Sequence, residues 1–207
     1  ATQQGLFVLD LAACPTLGSK DAWHAPQPLE CGEDVAVGSA LWYDVEPERD
    51  ARTGQPLTGK RVHGHFYTSS KDNEFLSLRF ADFVPSEVAG DAPTKRVQHI
   101  TTDSIPWDIV EITLSRTGAH LAFLANEGGV GNIYLLETRS LTFSRVSMPA
   151  AAVPRGVISH LAFSPDGSEL GFGLDSVKSP GNAYSIALFG GEGTLSDTPP
   201  PAAQPAD

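Results

Sequence analysis

Residues 112–123 read ITLSRTGAHLAF, and residues 161–172 read LAFSPDGSELGF. The two stretches are one pattern written twice. Ser115 aligns with Ser164, Gly118 with Gly167 and Phe123 with Phe172, each 49 positions on. With one residue inserted, Asn132-Ile133-Tyr134 then aligns with Asn182-Ala183-Tyr184. In each copy apolar residues alternate along a strand, stop at a polar turn, and alternate again. Leu161 and Phe163 share a face, as do Leu170, Phe172 and Leu174 on the strand that follows; Ile112, Leu114, Leu121 and Phe123 take the matching places. Between the strands stands Ser164-Pro165-Asp166-Gly167. Proline presets φ at the first central position, aspartate can bond its own backbone, and glycine accepts the positive φ that follows. Arg116 and Thr117 replace the proline and aspartate in the other copy, but Gly118 stays. Face, turn and spacing are preserved together, which an accidental match does not do.

Outward from this repeat the units are more worn. Residues 65–80 (HFYTSSKDNEFLSLRF) resemble the second and third strands of a unit, with Asp72-Asn73 as the turn. Residues 5–11 (GLFVLDL) resemble a third strand, and residues 35–45 (VAVGSALWYDV) supply at least one more. A repeat of ~40–50 residues in four strands is the period of a β-propeller blade. The expectation is an all-β chain of about three and a half four-stranded antiparallel blades. They are placed at 1–60 (degenerate), 61–104, 105–150 and 151–192, with a proline- and alanine-rich linker or frayed end at 193–207. Residues 46–60 read as a long polar loop. Propellers close with roughly four to eight blades, so the blades belong to a larger propeller or to a ring completed by another chain. An open arc would leave apolar blade faces uncovered, which predicts that the isolated chain self-associates or is only marginally stable.

Composition agrees with this reading. Apolar residues make up 41% of the chain, enough for a real core, and 20 glycines with 16 prolines suit short strands and tight turns. The net charge of −11 repels phosphate backbones and anionic lipid, which argues against nucleic acid and membrane surfaces as partners. No apolar run approaches the ~18–20 residues of a membrane span. Residues 5–14 (GLFVLDLAAC) end like a lipoprotein cleavage box, but no basic residue precedes them and Asp10 interrupts the stretch, so they read as a buried strand. Cys14 and Cys31 are candidates for a disulfide, which would add ~3 kcal/mol in the chain-entropy picture. A bridge fits a periplasmic or secreted protein and two free thiols fit a cytosolic one; both readings stay open.

Each chemistry-bearing pattern has a plainer explanation. Residues 54–60 (GQPLTGK) match a phosphate loop until Arg61, where serine or threonine should stand, and a strand pattern follows where a helix is needed. His63 and His65 would project from one strand face, but no third ligand is placed by spacing, so no metal site is assigned. Trp23, Trp42 and Trp107, with Tyr134 and Tyr184, read as packing between blades rather than as a groove. Ser159-His160 suggests a nucleophile and its base, yet neighbours on a regular strand face opposite ways, so the pair is expected not to meet.

The stretches LSRTGAHLAFLANEGGVGNIYLLE and GVISHLAFSPDGSELGFGLDSVKSPGNAYSI resemble propeller repeats of the prolyl oligopeptidase family of serine peptidases, the dipeptidyl aminopeptidase and acylaminoacyl peptidase kind. The Gly-Val-Ile-Ser lead, the Ser-Pro-Asp-Gly turn and the later Lys-Ser-Pro-Gly-Asn-x-Tyr are similar to the final blades that precede that family's catalytic domain, and the likeness runs from about His63 to Leu188. The resemblance implies a propeller that restricts entry to short peptides, set over an α/β-hydrolase domain carrying a Ser–Asp–His triad. The chain itself contains no Gly-x-Ser-x-Gly elbow; Ser39 and Ser176 lack the flanking glycines. No catalytic residue, cofactor site or metal site is therefore carried over, and Glu46 and Glu48 around Pro47 are not the family's glutamate pair. The implied partners are a peptidase domain elsewhere and peptide substrates. Two other readings stay open: a TolB-like protein-binding module of the cell envelope, whose repeats share the turn, and an extracellular glycan-binding or lyase propeller.

Overall fold

The alternating stretches form hairpins because each has one apolar face to bury and a turn that reverses the chain. The computed structural model describes residues 4–8, 27–32, 35–45, 62–84, 94–148, 153–177 and 180–189. Among these are thirteen strands: β1 (Gln4–Val8), β2 (Gln27–Gly32), β3 (Val37–Val45), β4 (Val62–Ser69), β5 (Ser77–Val84), β6 (Thr94–His99), β7 (Ile109–Leu114), β8 (His120–Glu127), β9 (Val130–Glu137), β10 (Thr142–Arg145), β11 (Val157–Phe163), β12 (Glu169–Asp175) and β13 (Asn182–Ala187). The described residues contain no helix, and so none long and apolar enough to cross a membrane.

All pairing is antiparallel and joins neighbours in sequence. The sheets are β1-β2, β3-β4-β5-β6, β7-β8-β9-β10 and β11-β12-β13. The first strands adjoin, with β7 lying against β3 on one side and β11 on the other, so the arrangement is that of propeller-like blades. One boundary differs from the sequence reading. The blade placed at 61–104 takes its first strand from Val37–Val45, through a ladder running from Val37↔Ser69 to Val45↔Val62. The polar residues 46–60 look like a break between units because hairpin loops are usually short, yet the strands before and after them pair in one sheet. Cys14, residues 46–60 and residues 193–207 lie outside the described residues.

Two apolar layers separate the last three sheets. Tyr43, Phe66, Leu78 and Phe80 meet Ile109, Ile112, Leu121 and Phe123 in the first. Ala122, Leu124 and Ile133 meet Ile158, Leu161, Leu170, Phe172 and Leu174 in the second. The middle sheet is buried on both faces, which is why residues 121–125 read as an unbroken apolar run, LAFLA. Matched aromatic pairs brace the layers: Phe123 stacks on Tyr134 at 5.1 Å and Phe172 on Tyr184 at 5.8 Å. Burial first, and then the Glu127 carboxylate that accepts from its hydroxyl at 2.7 Å, push the Tyr134 phenol up to about 12. Trp42 and Trp107 do not join these layers and stay largely exposed, while Trp23 lies outside the described residues.

Both repeat turns have the same bonds. Gly167 donates to the Ser164 carbonyl at 2.9 Å and Gly118 to the Ser115 carbonyl at 2.8 Å. The serine hydroxyl then accepts the backbone N–H that opens the next strand, from Glu169 at 2.9 Å and from His120 at 3.0 Å. The glycines have φ of +77° and +73°. Gly118 carries a second constraint, because a Cβ there would lie 2.5 Å from Val45 Cγ2 of the adjoining sheet, whereas at Gly167 the nearest atom is Ser115 Cβ at 3.9 Å. Ser168 is the last residue of the turn, before β12, and both its N–H and its hydroxyl donate to Asp166 Oδ1.

Gly167→Val should lose about 1–3 kcal/mol in urea unfolding from the positive φ alone. Ser168→Val, which gives up one exposed hydroxyl bond, should lose less than about 1 kcal/mol, and Gly118→Ala should exceed Gly167→Ala. Equal losses at 167 and 168 would refute the turn geometry. Hydrogen bonds from Ser164 and Ser168 also lower the Asp166 carboxyl to about 2. A depressed carboxyl stabilises fully above its unfolded value, ~3.9, and that contribution is lost as pH falls through the folded value. Asp166→Ala should therefore be less stable than the parent near neutral pH, with the gap closing between about pH 4 and pH 2 in paired urea titrations.

Candidate functional site

The adjoining first strands β3, β7 and β11 have irregular backbone. Each has a bulge: β3 between Val37 and Ala40, β7 between Ile109 and Glu111, and β11 between Ser159 and Ala162. An extra residue in one strand kinks it and re-aims its side chains. In β11 the kink falls at His160, whose φ is +59°, a strained value for a residue other than glycine.

That kink overturns the expectation that Ser159 and His160 face apart. His160 Nδ1 lies 2.9 Å from Ser159 Oγ. The bulge breaks the two-residue alternation on which the expectation rested. Gly173 stands opposite on β12, where a Cβ would come within 3.2 Å of the serine hydroxyl. The bulge is held from the neighbouring sheet: the Glu111 carboxylate accepts from the N–H of His160 at 2.9 Å and of Leu161 at 2.7 Å. Glu111 lies 49 positions before His160, so each is the other's counterpart in the repeat.

A serine beside a histidine can do acyl chemistry only if donors also stabilise the oxyanion that forms. The two successive N–H groups at the bulge have the arrangement that serves this purpose, but Glu111 occupies both. The pair is thus a bonded feature of a strand that carries no oxyanion site at those amides. Glu111 does structural work between sheets instead.

The other candidates separate. Trp42 stacks edge-on against His65 at 4.7 Å and lies 6.4 Å from His63, so the three rings form one patch. Burial, and then the nearby His63, lower the pKa of His65. Among the described residues no group of three His, Cys, Asp or Glu side chains stands close enough to hold a metal ion. His99 and His120 sit apart, the latter with its ring 4.7 Å from that of Phe189. Residues 54–60, His24, Glu46 and Glu48 lie outside the described residues, as does Cys14, the partner considered for Cys31 of β2. The bulges and the Glu111 clamp have no signature in the sequence beyond a glutamate in a mostly apolar strand, Ile109–Leu114.

No protein-family model matches the chain, and no curated protein matches it.

Glu111→Gln should lower stability by about 1–3 kcal/mol, because an amide replaces a charged acceptor of two bonds and turns its own donors toward one of them. Glu169→Gln, on the exposed face of β12, should change it by less than about 0.5 kcal/mol. Urea unfolding of both variants checks this, and equal midpoints would show that the clamp contributes nothing.

Proposed function

We propose that this chain is a propeller portion, without catalysis of its own, that admits and orients peptide substrates for a serine peptidase domain it does not contain. The observation that carries the reading is the repeat made physical. Successive antiparallel sheets set their first strands side by side, and the last two carry the same serine–glycine turn and the same stacked tyrosine. In a ring of such blades the first strands line a central passage, whose width limits what reaches a domain beneath it. A passage lined by strands and short turns passes an unfolded peptide and excludes a folded domain. The resemblance to prolyl oligopeptidase propellers supplies the partner, an α/β-hydrolase domain. The missing nucleophile elbow, and the bulge amides already taken by Glu111, support leaving the chemistry to that domain.

A fluorophosphonate probe should label no serine of the isolated chain, Ser159 included, and peptide and ester substrates should remain intact. Labelling of Ser159 would overturn the non-catalytic reading. The coding frame beyond Asp207 should contain a Gly-x-Ser-x-Gly elbow; a complete frame without one would replace the peptidase reading with a TolB-like binding module.

A further inference from the structure

A cavity of about 400 Å³ opens where β9 begins, where β10 ends and where the chain approaches β11. Its size falls within the ~300–1,000 Å³ range of small-molecule sites. The walls are held by a backbone bond from Gly131 N–H to the Gly156 carbonyl at 2.9 Å. Gly131 is needed for that approach, since a Cβ there would lie 2.7 Å from Ile158 Cβ. The floor is the edge of the second apolar layer, with Val153 and Ile158 buried and Val146 packed against them.

The polar part of the lining has one sign. Arg145 and Arg155 both line the cavity, and among the described residues no aspartate or glutamate does, in a chain whose net charge is −11. Arg145 is positioned by a bond from its guanidinium to Oδ1 of Asn132, itself only 4% exposed. The acid on the adjoining hairpin, Glu127, is engaged by the Tyr134 hydroxyl at 2.7 Å. Arg155 is exposed, on the run into β11. Two guanidinium groups over an apolar floor suit a ligand with an anionic head and a compact apolar body, and guanidinium matches the two oxygens of a carboxylate in particular.

We propose that this inter-sheet cavity binds an organic carboxylate bearing an apolar body, the chemistry shared by a peptide's C-terminal residue and a short fatty acid. The site goes beyond the peptidase-gating role and does not depend on it, because binding here needs no hydrolase domain. The test is calorimetric titration of the whole 207-residue chain with N-acetyl-leucine, N-acetyl-leucinamide, octanoate and inorganic phosphate. N-acetyl-leucine should bind saturably. The uncharged amide and phosphate, which lack the head and the body respectively, should each bind at least about tenfold more weakly. Arg155→Gln should weaken N-acetyl-leucine by about tenfold or more, with Arg155→Lys retaining part of the affinity. Arg145→Gln should act in the same direction; because Arg145 also bonds Asn132, the exposed Arg155 carries the decision, with circular dichroism confirming that each variant is folded. Octanoate binding as well as N-acetyl-leucine supports the site with an acyl chain as its source. Octanoate failing where N-acetyl-leucine binds supports it with a peptide C-terminus. Absence of saturable binding, equal affinity for the amide, equal affinity for phosphate, or unchanged affinity in folded Arg155→Gln would overturn the proposal.

Discussion

A thin antiparallel sheet with apolar side chains on both faces must be covered on both sides. The β7-β8-β9-β10 sheet is in this position, with Phe123 and Leu121 pointing one way and Ala122 and Leu124 the other. Its neighbours supply the cover, each burying the face that it turns toward the middle sheet. The stacking of sheets follows from that constraint. Burying a large aliphatic or aromatic side chain contributes roughly 1.5–3 kcal/mol, and such side chains fill both layers while the polar contacts between the sheets are few. Polar contacts decide alignment, while apolar layers supply most of the stability.

Alignment between sheets is set near the first strands and the hairpins around them. Ile109 donates to the Leu76 carbonyl at 2.8 Å, and Asp108 accepts from the Leu76 N–H at 2.8 Å. On the next boundary Gly131 meets Gly156, and Glu111 meets the bulge of β11. Tyr43 reaches across the first layer to Thr138 at 3.2 Å, and the Thr138 hydroxyl lies 2.6 Å from the Gly118 carbonyl. One sheet thereby touches the turn of the next. These contacts are few and specific, so the sheets can share a common apolar filling and still hold a defined register.

The functional reading depends on the same division of labour. The first strands of the sheets lie side by side, and irregular backbone collects there. The bulge at His160 brings a serine and a histidine into contact, which regular alternation forbids, and then places Glu111 on the amides that would otherwise be free. Both amides at the bulge are thus engaged by a side chain of the neighbouring sheet, and only the geometry reveals this. The two arginines over the second layer are a separate matter, because they stand where polar surface meets apolar floor.

The sequence by itself determined the strands of the repeat, their inward faces and the two glycine turns. These are local properties: alternation with a period of two, and a positive φ that glycine accepts without strain, are legible within a dozen residues. The worn units were harder, and the first strand at Val37–Val45 was separated from its partner because sixteen intervening residues say nothing about pairing. Tertiary structure alone decided the two-sided burial of residues 121–125, the bulges in the first strands, the clamp of Glu111 on His160 and Leu161, and the placing of Arg145 and Arg155 on one cavity. Each of these depends on residues from different strands or sheets arriving at one place. Pairing and packing across such separations are set by the sum of many apolar contacts, which no short stretch of sequence contains.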